Sequence, residues 1–188
     1  GFNAVAGSKG MITINETGTT YVAWQWQGGQ GSNTTNTTGT ITSTVSVNTT
    51  SGFSVVTYTG NGSTATGASA ATVGHGLGVA PKMIITKILN NGVANWFVYS
   101  ETLGNTGYMA INLTNGNLGP YTPAWNNTSP TSSVATFGSY WIGSSYNMVA
   151  YFFADVTGYS KIGSYTGNGS TDGPFIYCGF KPAMIWTK

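Results

Sequence analysis

Apolar and polar side chains alternate along several short stretches of the chain, which is the pattern of a β-strand with one buried face. In residues 21–27, Val22, Trp24 and Trp26 fall on one face, and Ala23 and Gln25 fall on the other. Residues 41–47 alternate in the same way, with Ile and Val separated by Thr and Ser. Clusters of Gly, Asn and Ser separate such stretches, as they do where turns join strands.

The same pattern predicts strands in most other parts of the chain. The stretch 148–154 is apolar on both faces, so we expect it to lie deeper in a sandwich than the others. No long stretch has helical spacing, and the chain is therefore predicted to be all-β. The remaining predicted strands are 11–14, 53–59, 82–88, 96–100, 108–113, 134–137 and 140–143.

The chain also contains an internal repeat, which indicates a repeated structural unit. Residues 58–64 read Tyr-Thr-Gly-Asn-Gly-Ser-Thr, and residues 165–171 are identical to them. The similarity extends in both directions. Residues 80–87 align with 181–188, 22–26 align with 149–153, and 14–17 resemble 111–114.

The repeat divides the chain into four parts. We interpret residues 1–27 as a strand-donor segment, 28–51 as a Gly/Asn/Thr/Ser-rich linker with an edge strand, 52–157 as a first β-sandwich unit and 158–188 as a partial second unit. The second unit contains its opening strands only, and counterparts of its missing strands are found near the N-terminus. The predicted fold is therefore all-β, with tandem jelly-roll-like β-sandwich units, the second of them incomplete and completed by strand exchange.

An incomplete sandwich exposes apolar side chains and unpaired backbone groups until a strand fills it. Residues 1–27 could fold back into their own chain or insert into the next subunit, and the latter would produce an open head-to-tail polymer. Burying the apolar side chains of the donor would contribute on the order of 10 kcal/mol before ordering costs. A self-complemented monomer and a fragment of a longer protein are the alternatives. The candidate assembly residues are Met11, Ile12, Ile14, Val22, Trp24, Trp26, Met184, Ile185 and Trp186.

The low content of charged residues and the short apolar runs exclude some classes of binding partner. Charged residues make up 5% of the chain, against about 25% in an ordinary soluble domain, and the net charge of +2 comes from scattered lysines. Nucleic-acid binding needs clustered cations, so we expect none. The longest apolar run, 148–154, is too short to cross a bilayer, and we expect no membrane partner. The expected partner is a second copy of the chain.

The sequence lacks a motif for catalysis or metal binding. His75, the only histidine, has no carboxylate joined to it by a motif, and we interpret it as a loop residue. Cys178 is interpreted as a small core side chain. A glycosidase would need two carboxylates across a cleft, and nothing in the sequence supports Glu101 with Asp155 as such a pair. We expect no enzymatic activity, no cofactor and no metal.

Glycans are a second class of candidate partner, either attached or bound. The chain has nine Asn-x-Ser/Thr triplets, which are acceptor sequences for N-linked sugar in a secreted protein. Trp125 lies in a loop flanked by prolines and is the candidate for stacking on a sugar ring. The candidate glycosylation sites are Asn15, Asn33, Asn36, Asn48, Asn61, Asn112, Asn126, Asn127 and Asn168.

Four segments together resemble a repeated β-domain of unknown function found in aquatic bacteriophage structural proteins of tail-fibre type. They are 21–24, 39–46, 52–60 and 73–82, and the last contains the most specific run, Gly-His-Gly-Leu-Gly-Val-Ala-Pro-Lys. The resemblance covers most of residues 21–188. It implies a structural, non-enzymatic β-sandwich and transfers no catalytic residue.

Three functions are compatible with these observations. The first is a structural subunit of an extracellular helical filament that polymerises head to tail by N-terminal strand donation and carries glycans. The second is a bacteriophage tail-fibre or receptor-binding domain that recognises cell-surface glycans. A glycan-active enzyme is the third. The first two place the protein outside the cell or on the virion surface.

Overall fold

A computed structural model of the chain describes residues 17–66 and 69–188. The regular secondary structure of this part of the chain is almost entirely β, with one short helix. In chain order the elements are β1 Thr34–Asn36, β2 Ser43–Asn48, β3 Phe53–Thr59, β4 Thr72–Gly74, β5 Met83–Ile88, β6 Phe97–Ser100, β7 Met109–Ala110, α1 Thr122–Trp125, β8 Val134–Thr136 and β9 Asn147–Phe153.

Seven of these strands form one antiparallel sheet in the order β1-β2-β3-β9-β5-β6-β7, and β4 pairs with β8 in a small second sheet. The last strand of the chain, β9, lies at the centre of the large sheet. It pairs with β3 on one side and with β5 on the other. Because both faces of β9 contact other parts of the protein, this position explains why residues 148–154 are apolar on both faces.

The core lies between the large sheet and a layer made of the small sheet and α1. Val56, Ile84 and Phe152 point into it from β3, β5 and β9 and are fully buried. Trp125 and Trp141 close the opposite side. This arrangement is sandwich-like, and it confirms the predicted β-sandwich class. We call residues 28–160 the body.

The predicted strands at 53–59, 82–88, 96–100 and 134–137 are confirmed as β3, β5, β6 and β8. The strand predicted in 41–47 is β2, and it is not at the sheet edge because β1 pairs with its outer side. Both β1 and β2 come from the segment interpreted as a linker, so the sheet begins before Gly52. The strand predicted at 11–14 lies outside the described residues.

Two strands predicted within the body are shorter or absent. Only Met109 and Ala110 of 108–113 pair with a neighbour, as β7. Residues 140–143 form no strand, and 139–141 form a turn. The backbone N–H of Tyr140 donates to the Pro123 carbonyl (3.2 Å) and that of Trp141 to the Gly138 carbonyl (3.0 Å). These donors are therefore not available to a neighbouring strand, and the apolar side chains pack into the core from a turn.

Candidate functional site

Residues 17–27, the N-terminal segment, run outside the body without forming a strand. Val22 is 75% exposed and Trp24 is 64% exposed. The strand predicted at 21–27 is therefore wrong for the single chain. Its alternation is that of a strand, but a strand needs a neighbour for its backbone hydrogen bonds, and residues 17–27 do not belong to either sheet.

The C-terminal end of this segment and the residues that follow it are held by the body. The Gly29 N–H donates to the Ser46 hydroxyl (3.0 Å), and the Asn48 amide donates to the Gln27 carbonyl (3.4 Å). The indole of Trp26 meets the Phe153 ring edge to face, with the ring centroids 6.1 Å apart. The segment thus leaves the body from the end of β9.

Residues 161–188, the C-terminal segment, likewise contain neither helix nor strand. Most of their large apolar side chains point into solvent, with Ile185 75% and Phe175 89% exposed. The other exposed large apolar residues of this segment are Tyr165, Ile176, Tyr177, Met184 and Trp186. So much exposed apolar surface is unusual in a monomeric protein.

The C-terminal segment is anchored where it leaves the body. The Asp155 carboxylate accepts the backbone N–H of Ile162 (2.8 Å) and pairs with the Lys161 ammonium (2.9 Å). The Ser160 N–H donates to the Val156 carbonyl (2.9 Å). At the far end, the Lys188 ammonium donates to the Leu113 carbonyl. The Asp155 carboxylate and the turn between Val156 and Ser160 together fix the direction in which the C-terminal segment leaves the body.

The two segments contain six of the predicted assembly residues, Val22, Trp24, Trp26, Met184, Ile185 and Trp186. All six are exposed. The structure does not join the two segments by strand pairing within the described chain. Met11, Ile12 and Ile14 lie outside the described residues.

Burial of the repeated residues differs between the body and the segments. Tyr58 is 5% exposed, whereas its repeat counterpart Tyr165 is 55% exposed. Ile84 is fully buried in β5, and its counterpart Ile185 is 75% exposed. The same residue types at the same repeat positions are therefore packed in the core of the body and exposed in the C-terminal segment.

Trp125 is a core residue, and its interpretation as a sugar platform is wrong. It is 1% exposed, and its indole N–H donates to the Gly107 carbonyl (3.0 Å). Its ring packs edge on against Tyr99 with a centroid distance of 5.6 Å. Helix α1, with Pro123 in its first turn, folds the loop inward and leaves neither ring face for a ligand.

The candidate glycosylation sites differ in accessibility. Asn126 is 7% exposed and its side-chain amide nitrogen is buried, so the folded chain has no room for sugar there. Asn36 and Asn48 are half-buried, and Asn15 lies outside the described residues. The remaining candidates are exposed, namely Asn33, Asn61, Asn112, Asn127 and Asn168.

His75 follows β4 and is fully buried, which its interpretation as a loop residue did not predict. Its Nδ1 accepts the Leu77 N–H (3.2 Å), so the ring proton is on Nε2, which donates to the Thr131 carbonyl (3.2 Å). Burial lowers the pKa of the imidazole and so favours its neutral form. The ring packs on Phe152, with centroids 5.2 Å apart. These contacts hold two loops together and give His75 a structural role.

Two acidic side chains of the described chain form ion pairs with lysines. Glu101 pairs with Lys82, and Asp155 with Lys161. In residues 17–66 and 69–188, no three His, Cys, Asp or Glu side chains come close enough to hold a metal ion. A surface depression of about 330 Å³ beside β5 is lined partly by Asn91, Asn95 and Tyr140, and its lining includes no carboxylate, histidine or lysine.

The family comparison gives one match. A domain of unknown function (DUF7483) matches residues 1–188. The chain belongs to this family. Searches of curated proteins and of solved structures find no match to it. Membership in DUF7483 assigns no activity, so its function has to be argued from the geometry.

In the described part of this DUF7483 chain, no helix is long and apolar enough to cross a membrane.

The sequence predictions missed part of the exposed apolar surface of the C-terminal segment. Tyr165, Phe175 and Tyr177 are each more than half exposed. For Tyr165 the signal was available, because its identity to Tyr58 places it in a strand that lacks its partners. Phe175 and Tyr177 lie outside the aligned strands.

Proposed function

We propose that this DUF7483 chain is the structural subunit of an extracellular helical filament, in which each copy donates its N-terminal segment to the C-terminal segment of the next. The observation behind the proposal is the contrast between Tyr58 and Ile84 in the body and their exposed repeat counterparts Tyr165 and Ile185. Residues that form a core in one unit expose their side chains in the other. A second copy can supply the missing strand.

The energetics favour such a joint. Val22, Trp24 and Ile185 would each contribute roughly 1.5–3 kcal/mol on burial, and added backbone hydrogen bonds would fix the strand in place. Ordering the segments offsets part of this gain. Because the donor and acceptor are different surfaces, the contact is head-to-tail and produces an open polymer unless the rotation closes a ring.

The proposal includes tandem β-sandwich units, the second of them built by strand exchange. It also makes the protein non-enzymatic, without cofactor, nucleic-acid or membrane partner, and places it outside the cell or on a virion surface. The exposed Asn-x-Ser/Thr triplets would accept glycans in a secretory compartment. Sparse charge, at 5% of the chain, gives weak repulsion between copies and favours association.

Two charge-introducing variants test the proposal. Trp24→Asp should disable the donor and Ile185→Asp the acceptor, because each places a carboxylate in a buried joint. Both positions are exposed in the single chain, so neither change should disturb the body. Val93→Asp is the matched control, since Val93 is 90% exposed in a turn outside both segments.

Sedimentation velocity should show large polymers for the wild type and Val93→Asp, and monomers for the other two variants. A mixture of Trp24→Asp with Ile185→Asp should form dimers only, because one intact donor meets one intact acceptor and both remaining ends are disabled. Polymers of unchanged size in either variant, or no dimer in the mixture, would contradict the proposal.

A further inference from the structure

In the body, β9 lies between β3 and β5, and the repeat supplies a second copy of all three strands. Residues 160–166 correspond to β3, residues 184–188 to β5 and residues 20–26 to β9. Two of these copies lie in or at the start of the C-terminal segment, and the third lies in the N-terminal segment. None of the three is in a strand in the described chain.

We infer that residues 20–26 of a second copy insert as the central strand between residues 160–166 and 184–188 of the first, antiparallel to both. The inference rests on the proposed function and specifies how the donated strand pairs with the next copy. A strand added at one outer edge would pair on one side only, whereas this strand pairs on both sides, as β9 does. Insertion buries no ion from the donor, because residues 20–26 have no charged side chain.

The body also defines the register of the inserted strand. Ala150 of β9 is fully buried and lies opposite Val56 of β3 and Thr86 of β5. The repeat aligns Ala150 with Ala23, so Ala23 takes this central position. A small side chain is thus found at the centre in both cases.

The two residues opposite Ala23 follow from the same alignment. Gly163 corresponds to Val56 and Thr187 to Thr86. Ala23 of one copy should therefore lie opposite Gly163 on one side and Thr187 on the other side of its neighbour. In this register Trp24 lies opposite Trp186.

Side-chain chemistry on the outer face of the sheet supports this register. In the body, Tyr151 and Phe153 of β9 lie beside Ile85 and Met83 of β5 on that face. The inferred sheet puts apolar counterparts at all four positions. They are Trp24, Trp26, Trp186 and Met184. A slip of one residue would move this apolar row to the other face of the sheet.

Single-cysteine variants of the full chain test the register in a Cys178→Ser background. Ala23→Cys is mixed with Thr187→Cys, and separately with Gly163→Cys, under mild oxidation. Directly opposed residues in an antiparallel sheet have Cα atoms about 4.5–5.5 Å apart, which a disulfide spans. Lys188→Cys and Ser164→Cys are the controls, because each is one residue further along and points to the opposite face.

We expect a disulfide-linked dimer in both test mixtures and its loss in both control mixtures. Since each chain carries one cysteine, such a link between Ala23→Cys and its partner variant joins two copies. Polymers that form without these links, or that link equally in the controls, would overturn the inserted strand and leave the proposed function standing. An internal link in the Ala23→Cys/Thr187→Cys double variant at high dilution would show closure within one chain and overturn both.

Discussion

Trp26 packs edge to face against Phe153, its own counterpart in the internal repeat, with the ring centroids 6.1 Å apart and the planes at 82°. Phe153 ends the central strand of the body, and Trp26 ends the segment that carries the second copy of that strand. This contact fixes the point where the N-terminal segment leaves the body. Val22 and Trp24, which precede it, extend into solvent.

Trp125→Ala should lower the free energy of unfolding by about 3–5 kcal/mol, because it removes a fully buried indole and leaves a cavity. Denaturant unfolding in the monomeric Trp24→Asp background measures this change. In the same background Trp186→Ala is the control and should have little effect, since Trp186 is 51% exposed. Equal effects of the two changes would contradict the placement of Trp125 in the core.

The free energy of unfolding should decrease as the pH is lowered below about 6.5, the usual pKa of histidine. The reason is that burial lowers the pKa of His75 in the folded state. In that window the unfolded chain binds a proton that the folded chain does not, so unfolding is favoured by up to about 1.4 kcal/mol per pH unit. The loss continues until the pH reaches the folded-state pKa. Protonation would also place an N–H on Nδ1 facing the Leu77 N–H donor.

The thermal midpoint of the Trp24→Asp background between pH 8 and pH 5.5 measures this dependence. His75→Gln is the control, because it has no titrating group at this position and should give a nearly flat profile over the same range. A slope that is unchanged in His75→Gln would assign the pH dependence to other groups.

Gly138→Ala should destabilise the body by about 1–3 kcal/mol, because the added methyl group would meet the backbone carbonyl of Pro123. The Gly138 N–H also donates to the Ala124 carbonyl (2.8 Å), which holds the chain against α1. Gly116→Ala is the matched control, since no atom lies within 4 Å of its added methyl group. Chemical denaturation of both variants should show a lower free energy of unfolding for Gly138→Ala only. An unchanged free energy of unfolding in Gly138→Ala would show that α1 can move away from the added methyl group.

Asp155→Ala should increase proteolysis of residues 160–166, because Asp155 bonds both the backbone of Ile162 and the side chain of Lys161. Lys161→Ala is the control and should have a smaller effect, since it leaves the Asp155 bond to the Ile162 backbone intact. Limited proteolysis of monomeric Trp24→Asp, followed by mass spectrometry, locates the cuts. Equal cutting in the two variants would indicate that the backbone bond does not position the segment.

The sequence predicted the central strands of the body well because their local and global signals agree. Residues 53–59 are rich in β-branched and aromatic side chains, are bounded by Gly52 and Gly60, and form β3. Residues 148–154 are apolar on both faces because Phe152 points into the core, whereas Tyr151 and Phe153 pack against Phe53 on the outer face of the same sheet. Such strands need little information from elsewhere in the chain.

The failures have physical causes of their own. The alternation in 21–27 encodes a strand, but the partner strand that would complete it is not supplied by the described chain. Trp125 has the local composition of an exposed loop, and only the tertiary contact with Gly107 shows that it turns inward. The carbonyl that His75 bonds belongs to Thr131, far along the chain, and therefore gave no local signal.

Electron microscopy of the purified wild-type chain over a range of concentrations tests the central claim most directly. We expect unbranched filaments of uniform width, with lengths that increase with concentration, and their disappearance in Trp24→Asp. Uniform single particles the size of a 19.5 kDa chain at every concentration would contradict assembly through the two segments.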